Sequence, residues 1–180
     1  MSGTFITEKE GCPVAAAGQA MREAEFAVFH SYAKPLVEVE DFELEAHSIA
    51  MAVGESQSWA ESGILGYSVL ADLPKLRALQ EATRRLDVRR LSAIESTLNR
   101  LNDLATPDIL ADMDEYLVKV FTPRRVGAEV PSPSSLRRRL RERIQRIDSD
   151  LAPNQKKIKE RKKEKALPFG TCRSIFYGQD

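Results

Sequence analysis
The sequence predicts an all-α protein, a multi-helix bundle with a basic carboxy-terminal helical arm and, at most, one short strand at its end. Three observations carry this prediction. Apolar residues recur every three or four positions from Val14 to Phe121, which is the period of a helix face and not the alternation of a strand. Pro35, Gly54, Pro74 and Pro107 punctuate that pattern where a helix would stop, be capped or open. Leu136, Leu140, Ile144 and Ile147 then form a stripe at spacings of four, four and three, the mark of a further amphipathic helix.

Residues 1–13 are polar with glycine and proline and are expected to be a disordered tail. A helical domain over 14–121 follows. Its first helix begins at Val14 with alanine-rich propensity and ends before Pro35. The second covers about 41–53, with Phe42, Leu44, Ile49 and Val53 expected on its buried side and Gly54 as its cap. Ser56 opens the third, which reaches about Leu70. Pro74 sits in the first turn of the fourth, and Val88, Leu91, Ile94, Leu98 and Leu101 give the fifth its apolar face. DILADMDEYLVKVF, after Thr106 and Pro107, makes the sixth. TPRRVGAEVPSPSS, residues 122–135, reads as a linker because three prolines, a glycine and serines crowd into it. The basic arm spans 136–167, and its distal part, PNQKKIKERKKEKA, has no apolar stripe and is expected to be a solvated helix or a fraying tail. Residues 168–180 carry the short apolar run that would be a lone strand.

At 180 residues the chain is long enough to bury a core without disulfides or a metal. Cys12 and Cys172 have no second Cys or His at ligand spacing, so neither a disulfide framework nor a zinc site is indicated and a reduced, cytoplasmic protein is expected. The polar, acidic TEKEG before Cys12 argues against a signal peptide or a lipid anchor. The longest apolar run, ILGYSVLA at 64–71, falls far short of the ~20 residues that span a bilayer. No membrane partner is expected. The zero net charge hides an asymmetry: residues 1–123 carry −9 and residues 124–165 carry +9. Such a division points to an electrostatic partner or to the arm docking on its own body.

The strongest candidate site is SLRRRLRERIQRID, residues 135–148. Arg137, Arg138, Arg139, Arg141, Arg143 and Arg146 all fall outside the leucine–isoleucine stripe, and guanidinium groups on one helix can grip successive phosphates through paired hydrogen bonds. Lys156 and Lys157 extend the charge without adding specificity. The competing expectation is that Leu136, Leu140, Ile144 and Ile147 pack on the body or on a partner while the arginines pair with carboxylates such as Asp112, Asp114 and Glu115. Residues 48–65, SIAMAVGESQSWAESGIL, have the form of a helix-turn-helix in which Gln57, Ser58 and Glu61 would face base edges. No Lys or Arg occurs from Pro35 through Pro74, however, while eight acids do. Phosphates would be repelled there, so a helix pair within a bundle is the expectation, with Trp59 in the core or half-buried.

Catalytic constellations are scarce. His30 and His47 are the only histidines, and both read as structural or surface residues. No phosphate-binding glycine loop, nucleophile elbow or paired-histidine zinc motif is present in the sequence. Asp112 and Asp114, two apart, would leave a helix on different sides and make a poor metal pair. Neither a catalytic residue nor a metal or cofactor is expected.

Four phrases in order, ADLPKLRALQEATRRLDVRRLSAIESTL (71–98), LVKVFTPRR (117–125), LRRRLRERIQRIDSD (136–150) and GTCRSIFY (170–177), resemble an actinobacterial family that includes the mycobacterial "thirteen-E-twelve" repeat proteins. Its members look like a helical domain of unknown function followed by an HNH endonuclease domain. Asp148-Ser149-Asp150 replaces the family's aspartate-proline-aspartate-like turn, and Phe169 stands where an acidic residue usually precedes the glycine matching Gly170. The chain ends at Asp180, before the region where the family carries its nuclease motif, and has no histidine after His47. An HNH site needs a histidine base and metal ligands. The resemblance therefore implies the amino-terminal helical module alone, a truncated form without the HNH domain, with no catalytic residue to transfer.

The combined expectation is a non-catalytic module that contacts the phosphates of nucleic acid, DNA rather than RNA, without strong sequence preference. The alternative is a protein–protein interaction or assembly module that meets an acidic protein surface or a second copy of the chain.

Overall fold
Helix starts follow local capping chemistry. In the computed structural model, which describes residues 13–122 and 130–147 (102–104 by backbone only), seven α-helices follow one another, with no strand among the described residues. They are α1 (Pro13–Phe29), α2 (Phe42–Val53), α3 (Gln57–Ser68), α4 (Pro74–Thr83), α5 (Val88–Leu98), α6 (Pro107–Phe121) and α7 (133–147). The protein is an all-α multi-helix bundle. The side chains of Asp41, Ser56, Asp87 and Thr106 each accept a hydrogen bond from the backbone N–H three residues on, satisfying one of the donors that a helix leaves unpaired at its start. Gly54 ends α2 at φ +78°, returning its N–H to the Ala50 carbonyl at 2.9 Å. That left-handed conformation suits glycine.

The start of α4 is different. Its preceding residue, Leu73, has no side-chain acceptor, and the cap comes from another helix. Asp114 of α6, only 2% exposed, accepts the Lys75 and Leu76 N–H groups at 2.8 Å each. A carboxylate among unpaired helix N–H groups is favoured by both hydrogen bonding and the helix dipole. This joins α4 to α6.

The centre of the bundle is α3, which packs against α1, α2 and α5. Trp59, Gly63 and Tyr67 repeat every four residues along it and form a notch for Phe29 of α1, which is completely buried. The Phe29 ring lies 5.0 Å from the Trp59 ring, edge-on, and 5.7 Å from that of Tyr67. A Cβ on Gly63 would lie 2.2 Å from the nearest Phe29 ring carbon, so the notch exists because residue 63 has no side chain. Gly66 plays the same part toward α5, where an added Cβ would lie 2.9 Å from the Ser92 backbone nitrogen. The apolar face read for the fifth helix is buried throughout: Val88, Leu91, Ile94, Leu98 and Leu101 are each 6% exposed or less. Burying each such side chain contributes about 1.5–3 kcal/mol.

Two details differ from expectation. Along α2 the buried residues are Ala46 and Ala50, while Leu44 and Val53 are 59% and 46% exposed and Phe42 and Ile49 are half-buried. Small residues let α2 lie close against α3, and that close face leaves Leu44 and Val53 outside. The second concerns the linker. Its residues 133–135 already belong to α7, because Ser132 accepts the Ser135 N–H at 3.2 Å and Pro133 occupies the first helical position, a combination that nucleates a helix.

One compact unit extends to Arg143, and a second begins at Ile144. Within the first, Leu136 and Leu140 are 0% exposed. In the second, Ile144 and Ile147 are half-buried and Arg146 is exposed. Most of the expected amino-terminal tail, residues 123–129 of the linker, Lys156 and Lys157 of the arm, and the expected terminal strand within 168–180 lie outside the described residues.

Candidate nucleic-acid interface
The first half of α7 is anchored by its leucines. At 3.6 residues per turn, the buried Leu136 and Leu140 share one side, and the arginines are distributed round the rest of the circumference. They do not share one fate. Arg143 makes a forked contact with Asp112 of α6, Nε to Oδ2 at 3.1 Å and Nη2 to Oδ1 and Oδ2 at 2.5 and 2.6 Å. This hydrogen bonding to Asp112 raises the Arg143 pKa further, and the guanidinium also stands 5.5 Å from the Tyr116 ring centre. Arg143 is therefore engaged within the protein.

Arg138, Arg139 and Arg141 are exposed. No carboxylate, carbonyl or ring among the described residues holds any of them. Arg137 is half-buried on the flank of α7 and lines a cleft that also contains Arg89.

Of the three carboxylates expected to receive α7 arginines, only Asp112 does so. Asp114 is committed to the start of α4, and Glu115 pairs with Lys75 at 2.6 Å and with Lys119 at 3.9 Å. The Lys75 contact holds the Glu115 carboxyl below its usual range. Four of the five arginines in α4, α5 and the turn between them serve the fold, the exposed Arg89 being the fifth. Arg77 donates to the Ala33 carbonyl, Arg85 to Phe121 and Arg90 to Pro131, while Arg84 lies 3.7 Å over the Phe26 ring. Set beside these, the open α7 arginines are a distinct group.

The helix-turn-helix phrase forms α2, a tight turn and α3. Gln57 donates to Glu61 at 3.0 Å, Ser58 is exposed, and the rest of α3 is packed on several sides, with Ala60, Gly63, Ile64, Gly66 and Tyr67 buried. A helix enclosed in this way has only its first turn free to meet a groove. Trp59 is half-buried, as read. His30 is exposed, its Nδ1 within 3.1 Å of the Phe26 carbonyl and its ring stacked on Phe26; His47 is exposed on α2. Among the described residues no three His, Cys, Asp or Glu side chains gather as metal ligands, and no helix is long and apolar enough to cross a membrane.

Fold and surface together define an all-helical domain whose last described helix is anchored and bears arginines. Compared with protein-family models, curated proteins and solved structures, the chain matches none.

Proposed function
We propose that the chain is a non-catalytic helical module that binds nucleic acid through its phosphates, with duplex DNA the preferred form. What carries this is the condition of Arg138, Arg139 and Arg141, exposed on a helix whose opposite side is held by Leu136 and Leu140 and without internal partners among the described residues. An anchored helix presents its guanidiniums with less loss of freedom on binding than a loose tail would. The resemblance to the HNH-associated family suits the same role: such a module would hold nucleic acid for a nuclease supplied by a separate domain. Three phosphate contacts predict that log affinity falls against log salt with a slope of about −2.7.

The test is an anisotropy titration of a labelled duplex at several salt concentrations. Wild type is expected to bind with that slope, and the Arg138→Glu, Arg139→Glu, Arg141→Glu variant to lose binding while keeping its helical circular dichroism. Absence of wild-type binding at low salt would refute the proposal.

One observation favours an assembly module as a second reading. Leu136 and Leu140 are buried within their own unit, but Val37, Leu44 and Met51 are 93%, 59% and 72% exposed. Light scattering that reports a dimer dissociated by Leu44→Asp and Met51→Asp, in a chain that does not bind duplex, would move the assignment there.

A further inference from the structure
We propose that the cleft where the starts of α3, α5 and α7 meet is a site for a phosphate monoester carried on a nucleotide, separate from the exposed arginines of α7. Its volume is about 410 Å³, within the ordinary range for small-ligand sites. Two cations reach it from different helices, Arg89 from α5 and Arg137 from α7, and no carboxylate is among the residues lining it. Arg137 has no partner among the described residues; Arg89 has only an electrostatic influence on Glu25.

The hydroxyls point the same way. Ser58, Ser62 and Ser92 line the cleft, and no hydrogen bond among the described residues occupies any of the three. Elsewhere in the helices Ser68, Thr83, Ser96 and Thr97 return their hydroxyls to carbonyls three or four residues back. Hydroxyls left open beside two guanidiniums are a donor set for an anion with several acceptor oxygens. The first turns of α3 and α7 add positive helix ends. Their caps each use one N–H, that of Trp59 and that of Ser135.

Trp59 supplies the second half of the recognition. Its side chain is half-buried, packed edge-on against Phe29, and lines the cleft, which provides an aromatic surface next to the cations for a base. Phosphate donors with an adjoining aromatic wall fit a nucleotide better than a bare anion. The phosphate could belong to a free nucleotide or to the 5′ end of a strand, and both present the same dianionic group.

Trp59 is the only tryptophan of the chain, so its fluorescence reports directly on the site. Adenosine 5′-monophosphate is expected to change the emission saturably, with calorimetry of the full chain as a second measure. Adenosine should do neither. Arg89→Gln and Arg137→Gln should each weaken binding roughly tenfold or more, the loss expected for a charge-assisted pair. A variant is scored only where circular dichroism matches wild type, and Arg89, being exposed, is the safer of the two. Competition by a 5′-phosphorylated single strand, but not by its 5′-hydroxyl counterpart, would assign the phosphate to strand ends; nucleotide binding without such competition would assign it to a free nucleotide. Either outcome supports the site. The inference is overturned if neither fluorescence nor calorimetry detects adenosine monophosphate up to about 10 mM, if adenosine binds equally well, or if Arg89→Gln binds as wild type. The triple α7 variant should keep nucleotide binding while losing duplex, so failure of this site and failure of the duplex proposal are separable.

Discussion

Removing the Asp114 side chain tests how the α4–α6 joint is held. In Asp114→Ala the N–H groups of Lys75 and Leu76 lose acceptors at 2.8 Å each, in a place where the Leu76 side chain is completely buried and Asp114 itself only 2% exposed. Hydrogen bonds to a charged acceptor contribute about 1.5–3 kcal/mol each. Water can reach the partly exposed Lys75 end, which discounts that bond more than the other, so a net loss of about 3–4 kcal/mol is expected. Against the roughly 5–15 kcal/mol that holds a domain together, that is a severe lesion. Asp114→Asn keeps one acceptor oxygen and should lose about half as much. The assay is urea denaturation followed by circular dichroism, comparing midpoints at constant slope. A midpoint for Asp114→Ala equivalent to less than about 1 kcal/mol of destabilisation would refute the view that this carboxylate, and not local sequence, caps α4.

Further outcomes follow from the packing. Leu140→Ala should cost about 2–5 kcal/mol because the side chain is 0% exposed, whereas Leu44→Ala, at a site 59% exposed, should stay within about 0.5 kcal/mol; equal melting temperatures for the two would mean that α7 is not part of the body's core. Gly63→Ala should destabilise by about 1–3 kcal/mol or more despite alanine's better helix propensity, since the new methyl would lie 2.2 Å from the Phe29 ring, and thermal unfolding checks it. Burial raises the Glu25 pKa, outweighing the lowering effect of its hydrogen bond from the Val88 N–H. A carboxyl with a raised folded-state pKa contributes stability that is present below its unfolded value and lost as pH rises through the folded one. Glu25→Gln, which keeps an acceptor oxygen for Val88, should therefore flatten that part of the stability–pH curve and leave the neutral-pH melting temperature unchanged or higher.

What the sequence determined by itself was set locally. Apolar spacing and capping residues act within a turn or two, so the helices to Phe121, the Gly54 cap, the buried stripe of α5 and the anchoring leucines of α7 were all legible from residue type and position. The buried side of α2 was not, because Ala46 and Ala50 win that face through close approach to α3, and larger residues such as Leu44 mislead any count of hydrophobicity. Nor could the partners of charged groups be read. Asp114 looked like one of several surface acids available to arginines, and only the crossing of α6 over the start of α4 made it a cap. Of the three acids expected to meet α7 arginines, Asp112 alone did so, because it is the one placed to meet Arg143. The start of α3 lacks cations in its own sequence neighbourhood, with no Lys or Arg from Pro35 through Pro74. Tertiary packing brings Arg89 and Arg137 beside its serines from helices that follow it in the chain. Periodicity acts over a few residues, whereas electrostatic pairing acts over a few ångströms between residues dozens of positions apart in the chain. The helices are therefore written in the sequence, and the choice of which charges stay open is made by the fold.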